Sequence, residues 1–373
     1  MEWKEDVLGN VLEVKYGKDH KKLADGQYPV YGSGGLMRYV DSILYDGPSI
    51  LIPRKGTLNN IMFVDSPFWT VDTMFWSIIN TDKVDPKFLF YSICKRDFAS
   101  MNVGSAVPSM TVNILNDIQI SYPKNISDQR RIASILSSLD QKIELNNKIN
   151  ADLEEMAQAI FKNWFVDFEP FKNGKFVDSE LGMIPEGWKV GSPYEYVKVV
   201  YGAPYKSAKF NDNGEGLPLI RIRDLKDCNP QFYTPEILPQ TEYVNMGDIV
   251  AGMDAEFVPH IWKGNTGLLN QRVCKLMPQQ TSISNLFVLY LMKPELEFVQ
   301  SYKTGTTVSH LGKADIDKFV VVLPPLEVVE ECSKILDSIL QRIKNISTES
   351  RILSTLRDTL LPRLMSGELE VPE

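Results

Sequence analysis

Two stretches of the chain carry apolar residues at three- and four-residue steps, the signature of one buried face on a long α-helix. The first begins at Ser127, placed as the N-cap, and runs through Ile132, Leu136, Leu139, Ile143, Leu153, Ile160 and Trp164. The second runs through Leu336, Ile339, Ile343, Ile346, Leu353, Leu356, Leu360 and Leu364. Neither meets a proline or glycine before Pro170 or Pro362, so each helix should extend for about 35 to 40 residues, roughly 55 Å. A helix of that length cannot bury its stripe alone, and the economical arrangement packs the two against each other as an antiparallel coiled-coil pair. Asn146 and Asn150 interrupt the first stripe, as polar seam residues that fix register or as solvated positions.

Outside the helices the pattern shortens to strands: ILYDGPSILIPRKGT, IMFVD and FWSII in the first half, and PLIRIRDL, GDIVAGM and RVCKLM in the second. The halves repeat one another in order. WKEDVLGNVLEVKYG (Trp3 to Gly17) shares its frame with WKVGSPYEYVKVVYG (Trp188 to Gly202), and the segment from Gly104 to Pro123 matches that from Gly305 to Pro324. Without regular βαβ alternation, the expected class is α+β. It comprises two globular, mainly-β domains separated by the helix pair, with a pseudo-two-fold internal repeat. The expected bounds are 1–126 for the first globular domain, 127–167 for the first helix and 168–187 for a glycine- and proline-rich linker. The second domain takes 188–325, the second helix 326–366 and a tail 367–373.

Composition adds limits. The 373 residues, 43% of them hydrophobic, suffice for two cores. Four cysteines lie far apart, without a CxxC pair or a histidine cluster, and read as reduced thiols of a cytoplasmic protein. The start, MEWKEDVLGN, has no secretory pattern, and no apolar run reaches membrane-spanning length. A net charge of −8 argues against coating DNA by bulk electrostatics but leaves room for local basic faces.

No complete catalytic motif appears. Pro324-Pro325 precedes Leu326, not an aromatic, and suits the first turn of the second long helix. Tyr31 to Gly35 (YGSGG) lacks the Lys-Ser/Thr of a phosphate loop and reads as a tight turn. Glu13-Val14-Lys15 offers a nuclease-like ExK, yet LEVKY alternates as a half-buried strand does. His20, His260 and His310 have no serine or cysteine partner in a recognised motif. What remains are side chains suited to DNA: Arg54, Lys55 and Thr57 in IPRKGT, Arg221 and Arg223 in LIRIRDL, and Asn270, Gln271 and Arg272 in LLNQRVC. Arginine reads guanine, asparagine and glutamine read adenine, and lysine or threonine can hold phosphate; solvated strand ends are the alternative. Arg221 and Arg223, two apart on an expected strand, would share one face.

In YPVYGSGG, SILIPRKGT, FWTVDTMFW, PLIRIRDL, GDIVAGMDAEF and GLLNQRVCKL, and in the helical and terminal DQRRIASILSSLDQKIELNNKI, AQAIFKNWFVDFEP, GMIPEGWKV and LLPRLMSGELEV, the chain resembles specificity subunits of Type I restriction-modification systems over nearly its whole length. The resemblance implies two target recognition domains, each reading half of a bipartite double-stranded DNA site, with the helices setting the gap. It also implies docking of two methyltransferase subunits, which would carry S-adenosylmethionine, and of restriction subunits in the full complex. This chain itself would be non-catalytic and bind no cofactor or metal. The helical segments, including the flanks around Phe161, Trp164 and Phe165, are the nominated docking surface, although those apolar residues fit an internal core better. A coiled-coil scaffold with two protein-binding domains is the alternative that the residues leave open.

Overall fold

The computed structural model describes residues 1–102, 108–303 and 310–371; Gly104 and Gly305, which open the closing segments of the sequence repeat, lie outside them. The chain forms two compact units, residues 1–143 with 352–373, and residues 144–351, so each unit takes part of both long helices.

Six α-helices punctuate the described residues: α1 (Pro86–Ile93), α2 (Val112–Asn116), α3 (Ile126–Phe165), α4 (Asn285–Lys303), α5 (Lys313–Ile316) and α6 (Leu326–Met365). The long α3 and α6 are the two periodic stretches, each 40 residues. The cap of α3 is Asn125 and not Ser127: Asn125 Oδ1 accepts from the Ser127 amide at 2.9 Å, which places Ser127 inside the first turn. At the other end, α6 continues past Pro362 to Met365, with the single bond that the proline nitrogen cannot donate forfeited. Gly367, at φ +76°, then reverses the chain.

In the first unit a four-stranded antiparallel sheet runs in the order Leu12–Tyr16, Met74–Ile79, Pro48–Pro53 and Met62–Asp65. Its strand Pro48–Pro53 is buried without alternation because both faces are covered. Ile50 and Ile52 join the core with α1 and α3 residues Phe88, Leu89, Ile132 and Leu136, whereas Leu51 joins Val30, Phe68 and Trp76 on the other side. A three-stranded sheet pairs Asp25–Gly32 antiparallel with Gly35–Val40 and parallel with Trp69–Thr70.

The second unit repeats this plan. Val197–Tyr201, Val273–Pro278, Ile249–Gly252 and Pro259–Ile261 form the antiparallel sheet. Its neighbour has Leu217–Ile220 parallel to Gly267–Leu269. Ile249 and Ala251 face one core and Val250 the other. In both units a two-stranded ribbon, Trp3–Val7 with Gln119–Pro123 and Lys189–Gly191 with Val321–Leu323, leads directly into the long helix.

Within each unit the α3 and α6 segments run antiparallel. In the first, Asp140 Oδ1 accepts from Arg357 Nη1 at 2.7 Å. In the second, Asn146 Nδ2 donates to Glu349 Oε2 at 2.8 Å and Asn150 Nδ2 to Ser347 Oγ at 3.1 Å. Both asparagines are buried seam residues, not solvated ones. Phe161 and Phe165 are also internal. They pack on Phe287 with ring centroids 5.7 and 5.2 Å away, and Trp164 is half-buried against Phe171, so this aromatic cluster is core of the second unit and not an open docking surface.

Candidate nucleic-acid interface

Of the expected DNA-facing residues, Arg54, Lys55, Thr57, Gln271 and Arg272 fall on loops at one end of the antiparallel four-stranded sheets, where side chains need no longer alternate between two cores, and Arg221 and Arg223 follow the strand Leu217–Ile220 of the neighbouring sheet. Pro53 pairs with Met74 at that end in the first unit, and Gly252 with Val273 in the second. The next residue of each strand still donates its amide across the gap, Arg54 to Thr73 O at 2.8 Å and Met253 to Arg272 O at 2.9 Å. Each accepts in return from the segment leading to the short helix, Met110 N to Arg54 O at 2.9 Å and Leu311 N to Met253 O at 2.8 Å. Two residues on, the backbone turns left-handed, at Gly56 with φ +88° and at Ala255 with φ +61°. The two loops, Arg54-Lys55-Gly56-Thr57 and Met253-Asp254-Ala255-Glu256, therefore share a backbone frame and differ in their side chains.

In the first unit Arg54 Cζ sits 5.3 Å from the ring centroid of Tyr16, and Nη1 reaches the Asp72 carbonyl at 3.4 Å. Lys55 and Thr57 are exposed. The YGSGG turn lies beside them: a β-carbon on Gly56 would come 3.0 Å from Ser33 Oγ, and Asn60 Nδ2 donates to the Ser33 carbonyl at 2.8 Å. The Glu13-Val14-Lys15 triplet lies on the strand Leu12–Tyr16, and its carboxylate is ion-paired with its own Lys15.

The second unit corrects one expectation. Arg221 and Arg223 do not share a strand face, because the strand ends at Ile220 and Ile222–Asp224 is a single turn of 3-10 helix. The cause is Asp224, whose carboxylate accepts the Arg221 amide at 2.9 Å and bends the chain. Burial pushes that carboxyl above its usual range against this hydrogen bond. Arg221 instead stacks on Phe232, with Cζ 5.1 Å from the ring centroid, and Arg223 is exposed. Asn270 is 8% exposed and its Oδ1 holds the Arg272 amide at 3.2 Å, so it builds the turn that presents Gln271 and Arg272, both exposed.

Sequence reasoning passed over Asp254. Its Oδ2 lies 2.6 Å from Arg272 Nη1, and its Oδ1 bonds His310 Nδ1. Among the described residues, no group of three or more histidine, cysteine or acidic side chains could hold a metal ion.

The family of the Type I restriction modification DNA specificity domain matches residues 1–155 and 185–354. The chain belongs to this family. Among curated relatives of the specificity-domain family, the MjaIX Type I restriction enzyme specificity subunit of Methanocaldococcus jannaschii is 27% identical over 391 residues, covering 95% of this chain and 86% of that protein. The HindI specificity subunit of Haemophilus influenzae is 23% identical over 386 residues, covering 83% of each chain. The crystal structure of the Type I restriction-modification S subunit from M. genitalium shares the fold, with a TM-score of 0.58 at 14% identity over 98% of this chain and 96% of that one. The duplicated α+β halves and the long helices are thus the architecture of a specificity subunit.

Proposed function

We propose that this chain is the non-catalytic DNA-reading subunit of a Type I restriction-modification assembly in the cytoplasm. Each half reads one part of a bipartite, asymmetric site in double-stranded DNA, and α3 with α6 sets the unread gap. The carrying observation is the loop pair that shares a backbone frame in both units and is furnished differently: Arg54-Lys55-Gly56-Thr57 in one, and Met253-Asp254-Ala255-Glu256 with Arg272 in the other. A constant scaffold with variable polar tips supports reading two different sequences. Two methyltransferase subunits dock on the chain and bring S-adenosylmethionine and the adenine-flipping chemistry. Restriction subunits join the full complex. No helix among the described residues is long and apolar enough to cross a membrane.

The test is co-expression with a neighbouring methyltransferase subunit in a methylation-free host, followed by sequencing of modified adenines. One interrupted motif, modified on both strands and lost without this chain, supports the reading. A soluble, co-purifying complex that adds no methylation favours the scaffold alternative. Alanine at Arg54, Lys55, Arg221, Arg223, Gln271 and Arg272 should relax single positions where a base is read, by about 1 to 3 kcal/mol each, or weaken all sequences alike where phosphate is held.

A further inference from the structure

Asp254 occupies in the second unit the place that Lys55 holds in the first. Each follows the residue that closes the sheet end, each precedes the left-handed position, and each makes a backbone bridge to the returning segment, Lys55 to Ser109 and Asp254 to His310. The charge at this shared position is reversed, and the carboxylate is not left to solvent. Its side chain is 13% exposed and divides its oxygens between Arg272 and His310, whose own side chains are 61% and 62% exposed.

That division has a geometric result. Arg272 comes from the turn fixed by Asn270 Oδ1, and His310 from a segment whose carbonyl accepts Lys303 Nζ at 2.7 Å. Lys303 is tied in turn to Asp315 at 2.7 Å. One carboxylate therefore joins two independently anchored segments and holds two outward-facing side chains at a set separation. An exposed arginine otherwise samples many rotamers, and ordering it only on contact with DNA costs conformational entropy. Engaged through Nη1, the guanidinium keeps further donors for a base edge, and guanine O6 and N7 are the acceptors that its fork matches.

We propose that Asp254 is a specificity-determining positioning residue of the second half: it pre-orders Arg272 and His310 so that Arg272 reads a guanine in that half-site. This rests on the DNA-reading function proposed above. Asp254 need not touch DNA; it acts through Arg272. Among the described residues the first unit, with Lys55 at this position, has no carboxylate joining the two segments there, so the effect is expected in one half-site.

The experiment uses the full chain co-purified with its methyltransferase subunit. The modified motif is sequenced for wild type, Asp254→Ala, Asp254→Asn, Arg272→Ala and the Asp254→Ala/Arg272→Ala double variant, and binding to duplexes substituted at each motif position is measured by anisotropy. We expect Asp254→Ala and Arg272→Ala to relax the same single G·C position by roughly tenfold to a hundredfold. The other half-site should be unchanged, and the double variant no worse at that position than Arg272→Ala alone. A merely structural role would add further loss in the double variant and would reach other positions. An unaltered motif in all variants, or a uniform loss over every sequence with a flatter salt slope, overturns the proposal. If Asp254→Ala fails to fold, Arg272→Ala and Asp254→Asn still decide, since both must relax one G·C position. Failure of wild type to produce any motif would instead count against the function itself.

Discussion

Gly202 lies against Asn270 so closely that a β-carbon built on it would fall 2.2 Å from the Asn270 carbonyl oxygen. Gly17 stands in the same relation to Val71, at 2.0 Å from its carbonyl oxygen. Each glycine immediately follows the strand that pairs with the sheet's inner strand, and each donates its amide there, Gly17 to Met74 O at 3.0 Å and Gly202 to Val273 O at 3.3 Å. The obstructing atoms are backbone, so alanine can enter only by displacing the turn.

Gly202→Ala should therefore move the turn that presents Gln271 and Arg272 and degrade recognition of the second half-site only. Gly17→Ala should do the same for the first. Each should also cost about 1 to 3 kcal/mol in a urea titration. Loss of both half-sites from either substitution would contradict independent reading by the two units.

The long helices give a second prediction. Four residues inserted into α3 add about one turn, roughly 5 to 6 Å. The sequenced methylation motif should keep both half-site sequences and change the gap. Altered half-site sequences with an unchanged gap would show that the helices do not set the spacing.

These helices were legible in the sequence because a period near 3.6 repeated over many turns is a strong signal, and the duplicated halves because Trp3 to Gly17 and Trp188 to Gly202 share one frame. The loops were less so. LIRIRD alternates as a strand would, and nothing local announces that Asp224 will take the Arg221 amide and break the strand at Ile220. Ala255 at φ +61° has no glycine to mark its turn. Asp254, Arg272 and His310 are far apart in sequence, and they meet through the sheet register that brings Arg272 near and the isolated bridge that brings His310. Arg54 and Lys55 were easier, since basic residues before a glycine at a strand end already mark an exposed turn.

Asn150 supplies a third prediction. Its Nδ2 reaches Ser347 Oγ, but its Oδ1 is buried with no partner among the described residues. Ser347 Oγ also donates to the Ile343 carbonyl at 2.7 Å, so it keeps a hydrogen bond if the asparagine is lost. Asn150→Leu, which keeps the branching at Cγ, should raise stability by about 1 kcal/mol, read as a higher urea midpoint. A lower midpoint would mean that the seam asparagine contributes more through its single bond than its unpaired oxygen costs.

Asp6 sets an acid dependence for the first unit. Asn10 Nδ2 at 2.6 Å and Lys4 Nζ at 2.9 Å hold its carboxyl well below the usual range, with help from the Val7 amide and the Tyr122 hydroxyl at 3.1 Å. A folded-state value below the unfolded value of about 3.9 stabilises the protein wherever the unfolded carboxylate would be ionised. That contribution is complete near neutral pH and declines as pH falls past the unfolded value towards the folded one. Asp6→Asn should therefore unfold at lower urea than wild type at pH 7, with the gap narrowing by pH 3. A gap that stays constant across this range would assign the loss to shape or packing at the Trp3–Val7 ribbon and not to the carboxylate's charge.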